Sequence, residues 1–185
     1  MSPDPQVAVG IRYLVITGML LGVVGLVGHW ASSPLLTATL GPTAYVFAAH
    51  PRTEMARLRN AVLGHAVAIG AGVAALAAFG LWHHPSISAT GAPSLGQVGA
   101  AAVAAGVTML ILEALRCHHA PAAASALLVA TGLAKPGKPL LALAVGLGII
   151  LVLGPLSSRL PFARDLDATE PSARSAKPSR TPETS

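Results

Sequence analysis

The distribution of charge decides what this chain can fold into. No Lys, Arg, Asp or Glu occurs across residues 13–51, 60–112 or 139–158. Each of these stretches contains at least one apolar span of about 20 residues, the length at which a helix crosses a hydrocarbon core of about 30 Å. Charged residues make up only 10% of the 185, against roughly 25% in soluble domains. In lipid the backbone must satisfy its own hydrogen bonds, and apolar spans of this length do so as helices. The reading is an all-α integral membrane protein. A cleaved signal peptide does not fit, because Arg12 sits beside a long first run with no short core and small-residue cleavage pattern after it. Cys117 is alone, which excludes an internal disulfide and a cysteine metal framework. The net charge of +5 reads as basic residues gathered on the cytoplasmic side, not as a nucleic-acid surface, since no basic-and-aromatic motif accompanies it.

Four long runs are expected to cross, at about 11–28, 60–81, 96–115 and 139–156. Two shorter apolar runs, 35–49 and 121–134, would reach only about 21–23 Å as helix. Gly41 and Pro42 interrupt the first and Pro121 opens the second, so both are expected as short or broken helices. The two halves, about 10–85 and 95–160, echo each other. Each has a long helix ending in His (His29; His118 and His119), a Pro opening a short run (Pro34; Pro121), a basic or His residue before Pro (His50; Lys135) and a second long helix. The landmarks lie about 85–89 residues apart. Lys and Arg placement puts the loop with Arg52, Arg57 and Arg59 inside and the loop 83–96 outside, with the N-terminus inside. If 121–134 crosses, the halves form an inverted three-plus-three repeat with a cytoplasmic tail; if it re-enters, Lys135 and Lys138 stay inside. The repeat favours crossing. Residues 1–160 thus form a membrane-embedded helical domain, and 161–185, rich in Pro, Ser, Thr and mixed charge, read as a disordered polar tail.

Paired short segments interrupted by Gly or Pro are the sequence mark of a transporter site near the midplane. Helix N-termini carry partial positive charge and unpaired N–H groups, which suit a small anion. Pro121 fits a first helical position, and Ala122–Ala124 leave room for backbone to approach a ligand. Ser125, Thr131, Thr37, Thr39 and Thr43 add hydroxyls. Ionisable groups within or at the edge of the membrane are costly to bury and tend to be functional; they are His65, Glu113, Arg116, His118 and His119. The competing readings are tight packing for the small residues, an imidazole bonded to a carbonyl for His65, and a simple pair on one face for Glu113 and Arg116. A metal site is disfavoured, because adjacent histidines do not share a helix face and no carboxylate partner is evident. No nucleophile–base pair, phosphate loop or zinc-protease motif is present, so neither an enzyme nor a cofactor is expected.

The stretch "HAPAAASALL" resembles the His-Pro-Pro-Ala-Gly-Ala-Thr-Ala-Leu signature of the HPP family of small integral membrane proteins. Arg116 matches a frequent basic position there. "LGPTAYVFAAHP" and "ARLRNAVLGH" look like that family's Phe-Gly-Ala-Ser-Ala-Val and Gln-Pro-Arg-Asn-x-x-x-Gly-His segments, with Arg59, Asn60, Gly64 and His65 in register. The similarity spans about residues 22–160. Ala120, Ala123, Ser125 and Leu58 stand where the motifs carry Pro, Gly, Thr and Pro; Ser125 keeps the hydroxyl in kind, and Ala123 costs some close approach. The resemblance implies a four-helix membrane protein from a family whose plastid and cyanobacterial members are implicated in nitrite transport. It points to a transporter or channel for a small inorganic anion, nitrite first, in a bacterial-type inner membrane. Arg59, Asn60, His65, Thr43, Arg116, His119 and Ser125 are the candidate path, with Gly41, Pro42 and Pro121 opening the short helices. Imidazole titrates near neutral pH, so His65 or His119 is placed to carry a coupled proton. The expected partners are the anion, the bilayer and a second copy of the chain as a homo-oligomer. The alternative is a non-transporting assembly or sensor module whose motif residues form a polar packing core.

Overall fold

The computed structural model describes residues 4–157; the expected tail, 161–185, lies outside them. The described residues form an all-helical bundle of seven α-helices: α1 Pro5–Trp30, α2 Leu40–Ala49, α3 Leu58–Ala78, α4 Ile87–Thr90, α5 Leu95–Ala114, α6 Ala122–Ala130 and α7 Lys138–Ser157. A 3₁₀ turn, Glu54–Ala56, precedes α3. Four of the helices, α1, α3, α5 and α7, are long and apolar enough to cross a bilayer. The first begins earlier than the apolar run suggests. Asp4 caps it by accepting the Gln6 N–H at 2.9 Å, and Pro5 takes the first position, where its missing N–H is no loss.

The helices are apolar all round, and side-chain size sorts their faces. Leu14, Met19, Leu110, Leu141 and Val152 point outward, between 61% and 72% exposed. The buried face of α3 is instead made of Asn60, Ala61, Gly64, His65, Ala68, Gly72 and Ala75, with Leu76 its one large aliphatic side chain. Lipid is as apolar as leucine, so large side chains gain nothing by turning inward, whereas small ones let backbones approach. A Cβ on Gly72 would lie 2.7 Å from Val129 Cβ and 3.0 Å from the Ala126 carbonyl of α6; one on Gly154 of α7 would lie 2.5 Å from the Phe47 ring of α2.

Two packing groups result: α3 with α5 and α6, and α7 with α1 and α2. Exchanging α1, α2 and α3 for α5, α6 and α7 turns one group into the other, so each long third helix packs on the other half's short helix. The correspondence extends to single residues. Gly64 and Gly72 abut the start and middle of α6, and Gly146 and Gly154, 82 positions later, abut the start and middle of α2. Both α1 and α5 end in the same turn. Ser32 (φ 47°) and Arg116 (φ 50°), 84 apart, are the only non-glycine residues at positive φ among those described. The next residues bond back alike: Ser33 N–H to the Gly28 carbonyl at 2.9 Å, and Cys117 N–H to the Leu112 carbonyl at 2.8 Å.

The first short segment differs from the sequence reading in where its helix begins. Gly41 and Pro42 do not interrupt the first run. They are the second and third residues of α2, which starts at Leu40 and not at 35. Proline is tolerated there because first-turn N–H groups have no partner within the helix. Pro34 lies in the non-helical link before α2, so it opens no helix. Pro121 sits at the cap position of α6 with helical φ and ψ, as expected of an opening residue. Helix α6 runs beside α3 in the same direction, Ala122 near Gly64 and Val129 near Gly72. It delivers Lys135 to the far end of the bundle, where the ammonium donates to the carbonyls of Trp82, at 3.1 Å, and His84. The alternative in which 121–134 turns back, leaving Lys135 beside Arg116, does not match this path. The same end is closed by Gln97, whose amide donates to the Pro85 and Thr131 carbonyls at 3.1 and 3.0 Å.

Candidate functional site

The first turns of α2 and α6 meet inside the bundle. Thr39, the residue before α2, lies 3.0 Å from Ser125 of α6, hydroxyl to hydroxyl. His65, two turns into α3, faces both. Its Nδ1 is 2.8 Å from Ser125 Oγ, and its Nε2 is 3.2 Å from Thr43 Oγ1 and 3.2 Å from His119 Nε2. The two imidazoles stand edge to face, with centroids 5.0 Å apart. His119 Nδ1 reaches the Met55 carbonyl at 2.7 Å. Thr39, Thr43, Ser125, His65 and His119 are all 3% exposed or less, in surroundings otherwise made of Ala, Val, Leu and Phe.

Two carbonyls fix the direction of every hydrogen in this chain. A carbonyl only accepts, so His119 carries its proton on Nδ1, toward Met55, and a neutral His119 presents a lone pair on Nε2. His65 must then be protonated on Nε2, sharing that N–H between His119 and Thr43. The Thr43 hydroxyl is free to accept it, because its own hydrogen goes to the Thr39 carbonyl at 2.9 Å. His65 Nδ1 is therefore a lone pair, Ser125 donates to it, and Thr39 donates to Ser125. With both imidazoles neutral no donor or acceptor in the chain is left over, and the His65 Nε2–H alone serves two acceptors, His119 and Thr43. Burial pushes His119, in the loop before α6, below its ordinary imidazole pKa, with the Met55 carbonyl pulling the other way.

Of the residues singled out from sequence, His65, His119, Ser125 and Thr43 come together. Gly41, Pro42 and Pro121 lie in or beside the first turns that carry them. Arg59 and Arg116 do not join: both are exposed at the bundle end. Asn60 is buried but points away, donating to the Glu54 carbonyl at 3.0 Å, while its own carbonyl accepts from Cys117 Sγ at 3.3 Å. It anchors the 3₁₀ turn that presents the Met55 carbonyl. Glu113 does not pair with Arg116; its carboxylate lies 3.8 Å from His118, which is also 3.3 Å from Glu54. The N-terminal N–H groups of α6 are engaged too, Ala122, Ala123 and Ala124 donating to the carbonyls of His119, Ala120 and Pro121. What converges between the short helices is hydroxyl and imidazole. Sequence reasoning left Thr39 out of the site, although it stands 86 positions before Ser125, the spacing of the two halves. The Met55 carbonyl carried no signal, because any residue type supplies one.

A cavity lies at each end. One, about 200 Å³, is lined by Leu112, Glu113, Cys117, His118, His119 and Ala120, with Met55, and reaches the outer edge of the imidazole pair. The other, about 430 Å³, is lined by Gly28, His29, Ser33, Pro34, Leu35 and Leu36, with Ser32. Gly28, His29, Ser33, Pro34, Leu35 and Leu36 stand 84 positions before Leu112, Glu113, Cys117, His118, His119 and Ala120. The cavities are thus counterparts at the ends of α1 and α5. They differ where they approach the centre: His119 stands in one and Leu35, 3% exposed, in the other. Among the described residues no group of three or more His, Cys, Asp or Glu is placed to hold a metal.

The transmembrane region of the HPP family, as a family model, matches residues 3–163. No curated protein and no solved structure matches the chain.

Proposed function

Because this chain belongs to the HPP transmembrane family, we propose that it is a transporter of a small inorganic anion, with nitrite the leading substrate, and that the Thr39–Ser125–His65–His119 chain is its binding site. One observation carries the reading: five buried polar side chains from α2, α3, α6 and the loop before α6 converge where two short helices begin, deep in an apolar bundle. Burying hydroxyls and imidazoles in such surroundings is costly unless each is bonded, and ionisable groups at such depth tend to be functional. Proteins of this plan hold substrate where discontinuous helices meet between repeated halves. The matched packing groups, C-terminal turns and end cavities support a three-plus-three inverted repeat, and a bacterial-type inner membrane is part of the same proposal. In that arrangement Arg52 and Arg57 lie on the cytoplasmic face with the N-terminus, and Lys135 lies outside. The two cavities are then the approaches from either face, closed from the site by His119 and Leu35. The apolar outer faces leave room for a homo-oligomer.

Uptake of nitrite into proteoliposomes, corrected for protein-free vesicles, tests the proposal. Wild type takes up nitrite, and His65→Ala and Ser125→Ala, folded by gel filtration, lose most of it. Equal uptake by wild type and both variants would sink the site, and no uptake by wild type would sink the function. A membrane module using the same residues only for packing would bind a partner protein and move no anion.

A further inference from the structure

We propose that this site moves its anion together with one proton, held on the His65–His119 pair, so that transport is electroneutral; the inference rests on the anion-transport reading above. An anion taken among these residues leaves water for an apolar interior, where an uncompensated charge is expensive. Among the described residues, the hydrogen bonds of the site join hydroxyls, imidazoles and backbone carbonyls and no Lys or Arg. Arg59 and Arg116 are exposed at the bundle end, and α2 and α6 face the pair with hydroxyls only. The charged and titratable groups on the surrounding elements are Glu54, Arg57 and Arg59 before or at the start of α3, Tyr45 on α2, Glu113 and Arg116 at the end of α5, and His118, all exposed, with Cys117 buried beside His118. The buried Arg12 lies on α1, which packs chiefly on α2 and α7 rather than on α3 or α6. His50 ends α2, and Lys138 opens α7 at the opposite end. The two imidazoles are what remains to carry a positive charge beside the anion.

The bonding shows how the proton is held and passed. In the neutral chain all hydrogens point one way, from Thr39 through Ser125 to His65 Nδ1, and from His65 Nε2 to His119. A proton brought in with the anion is taken by the lone pair of His65 Nδ1, and the His65 Nε2–H passes to the Nε2 lone pair of His119, which until then accepts it. His119 is left protonated on both nitrogens and His65 on Nδ1 alone, and that N–H donates to the oxygen lying against it. In the empty site that oxygen is Ser125; with substrate present it is an anion oxygen. No bond of the anion breaks: one proton and one anion enter, and one of each leaves. Protonation thus frees the hydroxyls of Ser125 and Thr39 to donate to the anion as well, so the charge and the hydrogen-bond donors appear together.

The experiment uses the full chain in proteoliposomes, with nitrite as the probe, potassium and valinomycin to set voltage, and separate buffers to set the pH gradient. Protein-free vesicles correct for nitrous acid crossing unaided. The expected result is protein-dependent initial uptake that rises with an acid outside, ignores voltage, alkalinises the outside one proton per nitrite, and produces no current on a nitrite jump. His119→Asn keeps a donor for Met55, and His65→Gln keeps a donor at the Nε2 position, so each preserves the packing without a titrating group. Both should abolish the pH-driven component while retaining the wild-type unfolding temperature to within a few degrees. Nitrite current that follows voltage and ignores the pH gradient would overturn the proton pairing and leave the transport reading standing. Any ratio other than one proton per nitrite would overturn the electroneutral step. Absence of protein-dependent uptake under either gradient would overturn both.

Discussion

Ser125 is the joint between the two halves of the chain, and removing its hydroxyl has a calculable consequence. It donates to His65 Nδ1 at 2.8 Å and accepts from Thr39 at 3.0 Å, and no part of the residue is exposed. In Ser125→Ala the imidazole nitrogen loses its donor and the Thr39 hydroxyl its acceptor. A stranded buried group costs about 1–3 kcal/mol in a soluble core. Side-chain bonds between membrane helices average nearer about 0.6 kcal/mol, with a maximum of about 1.7, because the loosened helices find other partners. Two such bonds place the loss at about 1–3 kcal/mol, which at about 2–4 °C per kcal/mol for a chain of this size lowers the unfolding midpoint by about 2–12 °C. Unfolding in detergent followed by tryptophan fluorescence or thiol exposure measures it. Thr39→Ala in the same background adds less than it does alone, since its hydroxyl has already lost its acceptor. The coupling should be about 0.5–1.7 kcal/mol. A midpoint unchanged within about 1 °C, or strictly additive losses, would refute the claim that Thr39, Ser125 and His65 form one chain.

Gly72→Ala and Gly154→Ala each force a methyl into the opposing helix and should cost about 1–3 kcal/mol, whereas Gly70→Ala, with open space around it, should be neutral or stabilising by up to about 1 kcal/mol; thermal unfolding of the three compares them. Arg116→Gly removes a side chain from a left-handed residue and should raise the midpoint by about 2–4 °C for up to about 1 kcal/mol of relieved strain. Together with Arg59→Ala it should leave nitrite uptake within about twofold of wild type (a change under about 0.5 kcal/mol). In a Cys117→Ala background, Ser33→Cys and His118→Cys should react with a membrane-impermeant thiol reagent from opposite faces of sealed vesicles. Labelling from the same face would contradict the placement of the two cavities at opposite ends.

Four long helices and two short ones were legible from charge placement and span length, because both follow from the cost of polar groups in lipid. The starts of the short helices were not. Leu35 and Pro34 are as apolar and as suited to opening a helix as the residues that do so, but the Gly28 and Leu35 contacts hold that stretch outside α2. Within the site, His65, His119, Ser125 and Thr43 stood out as polar groups in apolar runs. Arg59 and Arg116 stood out for the same reason and were drawn in by the motif, yet their length and charge take them to water at the bundle end. Asn60 has the composition of a ligand and the position of a brace. Thr39 was as visible as Thr43, and only the spacing between the halves separates it from Thr37. The direction of the hydrogen bonds depends on Met55 and Thr39 carbonyls, and a backbone group leaves no trace in the residue letters.

The central claim is that an anion binds on this imidazole–hydroxyl chain and that its protons respond. Nitrogen-15 NMR of histidine-labelled protein in bilayers reads both imidazoles directly, with His65→Gln and His119→Asn assigning the signals. Without anion, His119 should be protonated on Nδ1 and His65 on Nε2, both neutral. Saturating nitrite should convert one of the two to the doubly protonated form. Imidazole signals unchanged by nitrite, in protein that still transports it, would contradict the account.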